Sequence, residues 1–264
     1  MTILKRGNRN SEVLKLKKHL EAAGMSMTKS NVFDLVTEAG VRILQEDLNL
    51  EKDGIVGPRT WRELQNKPLL FKSLTSVLKW ICMTPYYPQR DNKYHPSGTC
   101  NVTSLAMVLA YHGIKPIGTN QLEDELFLRL QEPDALAEFE RSYPSLKKKG
   151  YKPRHIHGML GWLVKQYGLN WKYSEATTRD QIDNHGKTIG PMIISGSFTS
   201  SGHIICLTGM TIRNDMIVHD PWGDWDKGYR QSRNGKFRIY NRENMEKILS
   251  GLNATCKRVH RISP

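Results

Sequence analysis

Tyr86–Gly113 reads YYPQRDNKYHPSGTCNVTSLAMVLAYHG, and the fold is decided within it. A polar, proline-bounded loop passes through Pro96-Ser97-Gly98 and turns at Thr99-Cys100 into a run carrying Val102, Leu105, Ala106, Val108, Leu109 and Tyr111. That spacing predicts an amphipathic helix with one buried face, and Gly113 is a ready stop. Cys100 then sits in or just before the first turn. Unpaired N–H groups and the positive end of the helix dipole favour a thiolate there, and a thiolate is a strong nucleophile at neutral pH. Cys82, Cys206 and Cys256 lie in apolar runs and read as core residues.

A nucleophilic cysteine needs a base, and the base needs an orienting group. Gly202–Leu207 reads as a strand that opens on His203, and Met216–His219 as the next strand, ending in Asp220 at a Pro/Gly turn. Adjacent antiparallel strands would set His203 beside Asp220. Residues 85–223 resemble a papain-like cysteine peptidase of the bacteriocin-processing (double-glycine leader) branch and its phage and bacterial relatives. The resemblance implies the roles. Cys100 is expected as nucleophile, His203 as base and then acid, Asp220 as orienting carboxylate, and Gln89 of YYPQ as side-chain donor of the oxyanion hole. Trp222 is expected to shield the histidine–acid hydrogen bond. Asn101 stands where this branch commonly has Gly, which is expected to tighten access to the thiol.

The chain has 264 residues, enough for one large domain or two modest ones, and 38% of them are hydrophobic. No charged-then-apolar leader opens it and no apolar run is long enough to cross a bilayer, so synthesis as a soluble cytosolic protein is expected. Four cysteines without a paired spacing argue against a disulfide framework. The net charge of +13 suggests a polyanionic partner. Lys147-Lys148-Lys149 is the tight basic cluster and reads as a solvated helix end; the aromatic interleaving of a single-strand binder is missing, so no nucleic-acid partner is expected.

Residues 1–66 form their own unit. One helix is expected from a Ser11 cap through Val13, Leu16 and Leu20 to Gly24, and a second runs through Leu35, Val41, Leu44 and Leu48. Asp53-Gly54 makes a tight turn and Pro58 opens a third helix that carries Trp61 and Leu64. LKRG, the Val13/Leu16/Leu20/Gly24 spacing, Leu44-Gln45 and DGIVGPRTW together resemble the three-helix peptidoglycan-binding domain of cell-wall hydrolases. Asn31-Val32-Phe33-Asp34 departs from that pattern, where a glycine-bracketed Phe is usual.

Residues 67–84 read as a linker helix, because Leu69, Leu70, Leu74, Val77, Leu78 and Ile81 recur at helical intervals. Beyond the catalytic helix, two helices broken at Glu132-Pro133-Asp134 are expected, then one over His155–Tyr167 and a short one capped by Thr178-x-x-Gln181. Strands near 191–198, 202–211, 215–219 and 236–240, a helix at 242–252 and a last strand at 255–262 complete residues 85–264. Helices followed by an antiparallel sheet give an α+β fold, in which a helix-borne Cys faces a strand-borne His. His155-x-His157 lacks the companions of a metal motif, and no metal or cofactor is expected. His219 lies on the strand face opposite Asp220 and makes a poor base.

The two resemblances together imply a modular, endolysin-like cell-wall hydrolase: a peptidoglycan-binding domain and a cysteine endopeptidase acting on wall peptides. Peptidoglycan is the expected partner, with electrostatic contact to anionic envelope polymers, and a monomer is expected. The protein would be made in the cytoplasm of a bacterial host and act after release. The same residues would serve a peptidoglycan amidase, and a non-catalytic wall-binding protein is the alternative from another class.

Overall fold

The computed structural model describes residues 2–66, 77–230, 233–249, 255–256 and 258–264. They form two compact units: Met1–Lys79 with Met210–Asp215, and Trp80–Gly209 with Met216–Pro264.

The first unit holds α1 (Ser11–Ala22), α2 (Leu35–Asp47) and α3 (Pro58–Asn66). Asn10, not Ser11, caps α1: its side-chain oxygen accepts the N–H of Val13, which makes Ser11 the first helical residue. Leu4, Val13, Leu16, Leu20, Phe33, Ile43, Leu44 and Val56 are fully buried between the helices. The Asp53-Gly54 turn needs a residue at φ 73°, where glycine is unstrained. One side chain of α2 holds that turn. Gln45 Nε2 donates to Asp53 Oδ1 (2.7 Å) and the Ile55 carbonyl (2.9 Å), while its Oε1 accepts the Gly54 N–H (2.8 Å). Lys17 is also buried, and its Nζ is satisfied by Thr28, Ser30 and Asp34.

The second unit begins at Trp80, within β1 (Leu78–Ile81), and continues through α4 (Cys100–Tyr111), α5 (Leu122–Arg129), α6 (Pro133–Ser142), α7 (Pro144–Lys148) and α8 (His157–Gln166). It then turns to β2 (Asn170–Ser174), β3 (Thr177–Thr178), α9 (Arg179–Thr188), β4 (Met192–Gly196), β5 (His203–Thr211), β6 (Met216–His219) and β7 (Arg238–Tyr240). α10 (Arg242–Leu249), β8 (Thr255–Cys256) and β9 (Val259–Ser263) close the chain. Among the described residues the main sheet runs β2-β9-β4-β5-β6-β7, with β1 added on β5, and β3 pairs β8 separately. The architecture is α+β, helices before sheet, as the element order implied.

Three local expectations change. Leu78–Ile81, the end of the anticipated linker helix, is a strand: Cys82 N–H donates to the Thr208 carbonyl (2.7 Å), so edge pairing with β5 outweighs a helical apolar spacing. Residues 67–76 of that expectation, and 250–252 of the last helix, lie outside the described residues. The single last strand is two, separated around Arg258, whose φ of 57° ends one ladder before β9 joins the main sheet between β2 and β4. And α4 is not amphipathic. Every residue from Asn101 to Leu109 is buried, polar Thr103 and Ser104 included, so the helix is enclosed on all sides. Truncating Leu105 or Leu109 there would cost about 2–5 kcal/mol.

Candidate active site

The α4 N-terminus opens from Thr99, which is fully buried. Thr99 occupies the cap position, but its side chain makes no capping bond; its hydroxyl instead accepts from Asn92 Nδ2 at 2.9 Å. Val102 N–H is taken by Asn101 Oδ1 (2.8 Å), which leaves the Cys100 N–H as the donor beside the half-buried thiol. Deeper along α4, Ser104 Oγ donates to the Ile204 carbonyl at 3.1 Å, one residue beyond His203. This bond joins the cysteine helix to the first turn of the histidine strand. Ser104 is one helical turn beyond Cys100, on the same face.

His203 opens β5, pairs with Gly196 of β4, and is nearly fully buried. Its Nε2 lies 2.8 Å from Asp220 Oδ1, and Cys100 lines the same cleft as the ring. With Nε2 committed to the carboxylate, Nδ1 is the ring atom left for sulfur. Burial disfavours the imidazolium, yet the charge and hydrogen bond of Asp220, with a further contribution from Cys100, raise the pKa of His203 well above the usual histidine range.

Asp220 is fully buried at the end of β6 and receives four hydrogen bonds. Oδ1 accepts from His203 and from the Trp222 N–H (3.0 Å); Oδ2 accepts from Tyr240 Oη (2.8 Å) and Tyr229 Oη (3.1 Å). Burial and the adjacent carboxylate push both phenols upward, so they remain donors. Such a saturated carboxylate is held in one orientation. Below it the backbone closes on itself: Asp220 N–H donates to the Gly235 carbonyl (3.0 Å), and the Gly235 N–H donates to Tyr86 Oη (2.9 Å). A Cβ on Gly235 would stand 1.8 Å from the Asp220 carbonyl oxygen, so glycine is required.

Of the four residues singled out in the sequence, Cys100, His203 and Asp220 come together. Gln89 stands apart from that chain of contacts. It is buried, its backbone N–H donates to the Pro221 carbonyl (2.9 Å), and its Nε2 donates to the Pro96 carbonyl (2.8 Å). The Pro96 carbonyl fixes the amide orientation, since the reverse would oppose two oxygens. Trp222 carries Arg90 on its face (3.7 Å), and the rings set edge-on to His203 are Phe198 and Tyr229. His219 is held neutral in the core: Nδ1 accepts the Phe237 N–H, so Nε2 donates to the Thr84 carbonyl. Burial pushes Cys82 up to about 11 and Cys206 well above the ordinary thiol range, which leaves both inert. Ser104, Tyr229 and Tyr240 escape a sequence reading, because serine inside a helix and tyrosine in a turn or at a strand end look like ordinary packing.

Cys100 and His203 line a cleft of about 320 Å³ with Arg154, His157 and Arg258 on its walls. Asn101 ties that wall to α4: its Nδ2 donates to the Arg154 carbonyl at 2.6 Å. Among the described residues no group of side chains is arranged to hold a metal ion.

A helix-borne thiol facing a strand-borne His–Asp pair on an α+β scaffold defines a cysteine-peptidase type of site. Residues 81–248 match the Peptidase_C39 like family, and the chain belongs to that family. Residues 9–64 match the peptidoglycan binding domain family. No curated protein matches the chain. Among solved structures, a fused Zn-dependent amidase/peptidase/peptidoglycan-binding domain-containing protein from Clostridium acetobutylicum is similar at 24% identity, with a TM-score of 0.25. The match covers 42% of this chain and 42% of that one, so this chain spans under half of that relative's length.

Proposed function

We propose that this protein is a modular, endolysin-like wall hydrolase whose second unit cleaves amide bonds in peptidoglycan peptides by cysteine acyl transfer. The observation that carries the reading is His203, bonded to a buried, fully satisfied Asp220 and lining one cleft with Cys100. In this mechanism the Cys100 thiolate attacks the acyl carbon, and the amide oxygen becomes an oxyanion beside the α4 N-terminus. The backbone N–H of Cys100 and the second N–H of Gln89 are the donors this mechanism assigns to it. His203 then protonates the departing amine, and a thioester remains on Cys100. Water, deprotonated by His203, attacks the thioester and restores the thiolate. Asp220 keeps the imidazole oriented throughout.

The match of residues 9–64 to a peptidoglycan binding domain supports wall peptide as the substrate. The test is one digest of purified sacculi followed by amine, reducing-sugar and mass analysis. New amino groups without new reducing ends, absent in Cys100→Ala, are expected. Intact stem peptides freed from the glycan would move the function to amidase; new reducing ends without amines would overturn cysteine acyl transfer.

A further inference from the structure

The cleft beside Cys100 is charged in one sense only. Among the described residues that line it are Arg154, His155, His157, His203 and Arg258, and no Asp or Glu. Arg154 Nε is buried with no hydrogen-bond partner in the structure, an expensive state for a guanidinium unless a ligand completes it. Arg258 holds a left-handed backbone conformation, φ 57°, that an arginine adopts only when the surroundings impose it, and its carbonyl is fixed by the Ser195 N–H.

A third donor on this wall follows from tautomer logic. Trp171 Nε1 can only donate, so His260 Nδ1, at 3.1 Å, accepts. His260 is buried and its pKa is pushed down to about 3, first by burial and then by His157; it is neutral, with its proton on Nε2. That proton goes to His157 Nδ1 at 2.8 Å. His157, lowered by burial and by Arg258, is thus neutral as well and carries its own N–H on Nε2. Two guanidiniums and one N–H on the wall of so small a cleft make a receptor for a carboxylate, the geometry for which arginine is suited.

We propose that Arg154, His157 and Arg258 form a subsite for a free carboxylate on the acyl-donor peptide, beside the bond that Cys100 attacks. The proposal rests on the reading of Cys100 as nucleophile and narrows its substrates to anionic peptides. Asn101 holds the Arg154 end at a fixed distance from the nucleophile.

Alkylation of Cys100 in the full-length protein by iodoacetate and by iodoacetamide tests it, because the two reagents differ in the carboxylate. The iodoacetate-to-iodoacetamide rate ratio is expected to fall about tenfold in Arg258→Gln and in Arg154→Gln, the size of one charge-assisted hydrogen bond. Arg258→Lys, which keeps the charge, is expected to retain most of the preference, and Lys148→Gln, on α7, to match the parent. Equal ratios in the parent and both Arg→Gln variants overturn the subsite alone. A Cys100 that neither reagent modifies overturns the nucleophile, and the subsite with it.

Discussion

Ser104 Oγ donates to the carbonyl of Ile204 across 3.1 Å, and this bond sets the register between the helix that carries the thiol and the strand that carries the imidazole. Both ends are polar atoms inside an otherwise apolar contact of α4 with the sheet. Ser104→Ala leaves the carbonyl unpaired and is expected to lower stability by about 1–3 kcal/mol. The larger effect should fall on kcat, which is expected to drop about tenfold or more with little change in KM, because small misplacements of reacting groups are severe. A kcat within twofold of the parent would show that packing alone sets the register.

Tyr229 and Tyr240 give Asp220 half of its hydrogen bonds. Tyr240→Phe keeps the ring and removes a donor to a buried charge, worth about 1.5–3 kcal/mol. Hydrolysis is expected to fall roughly tenfold in Tyr240→Phe and less in Tyr229→Phe, whose bond is longer and whose residue is less buried. Thermal unfolding measured alongside separates the two contributions: an activity loss no larger than the stability loss would argue against a positioning role.

His203 offers a direct reading of the ion pair. Its raised pKa means that the ring stays protonated in the folded protein at pH 8, where an isolated histidine is neutral. In Asp220→Asn the counter-charge is gone while burial remains, so the ring is expected to be neutral at pH 8. Nitrogen chemical shifts of the imidazole report both states. A neutral His203 in the parent at that pH would remove the imidazolium from the mechanism.

The second unit should also be acid-sensitive. His260 and His185 have pKa values pushed down to about 3 and about 4, in both cases chiefly by burial. Below about pH 6.5 the unfolded chain binds protons that these folded residues refuse, so stability falls as pH falls through that window. The loss for His260 alone is on the order of 2–3 kcal/mol by pH 4.5. His203 has the opposite sign: its contribution is full below about pH 6.5 and is lost as pH rises through its elevated folded value. A His260→Gln variant is expected to show a shallower decline of Tm between pH 6.5 and 4, and an unchanged slope would assign the acid lability elsewhere.

In the first unit, Gln45 satisfies the Gly54 N–H and the Ile55 carbonyl with one carboxamide. Gln45→Ala strands both, and a loss of about 2–4 kcal/mol is expected in the unfolding of that unit. Co-sedimentation of the Cys100→Ala protein with sacculi should weaken in parallel if the unit is the wall-binding part. Undiminished sedimentation in the Gln45→Ala, Cys100→Ala double variant would place wall binding elsewhere.

Much of this was legible before any coordinates. Helical punctuation is written in short-range chemistry, so Asp53-Gly54, Pro58, Glu132-Pro133 and the Thr178–Gln181 box all fall where turns and caps form. Cys100 and His203 stood out because each opens an element, where a side chain can be both fixed and accessible. Residues 78–81 misled because four residues of Leu, Lys, Trp and Ile fit either period, and only the partner strand β5 decides. β2 escaped notice because its Asn-Trp-Lys-Tyr-Ser pattern is half-exposed, and its pairing with β9 joins chain segments about ninety residues apart. The hydrogen bonds on Asp220 and the tether at Asn101 are likewise long-range facts, without a signature in their own neighbourhoods.

The clasp between Asp220 and Gly235 makes the intervening segment a ring, joined at its base by backbone as well as by covalent chain. Trypsin acting at Arg230 or Arg233 would open that ring without releasing either end: one piece keeps Asp220 and Tyr229, the other keeps Gly235 and Tyr240, and the clasp holds the two together. A nicked enzyme that still hydrolyses wall peptide, and loses that ability only when the fragments are separated in denaturant, is what such a closure entails. By the same logic foreign sequence can be spliced in beside the exposed Arg230 or Arg233, as loops tolerate added length at little entropic penalty.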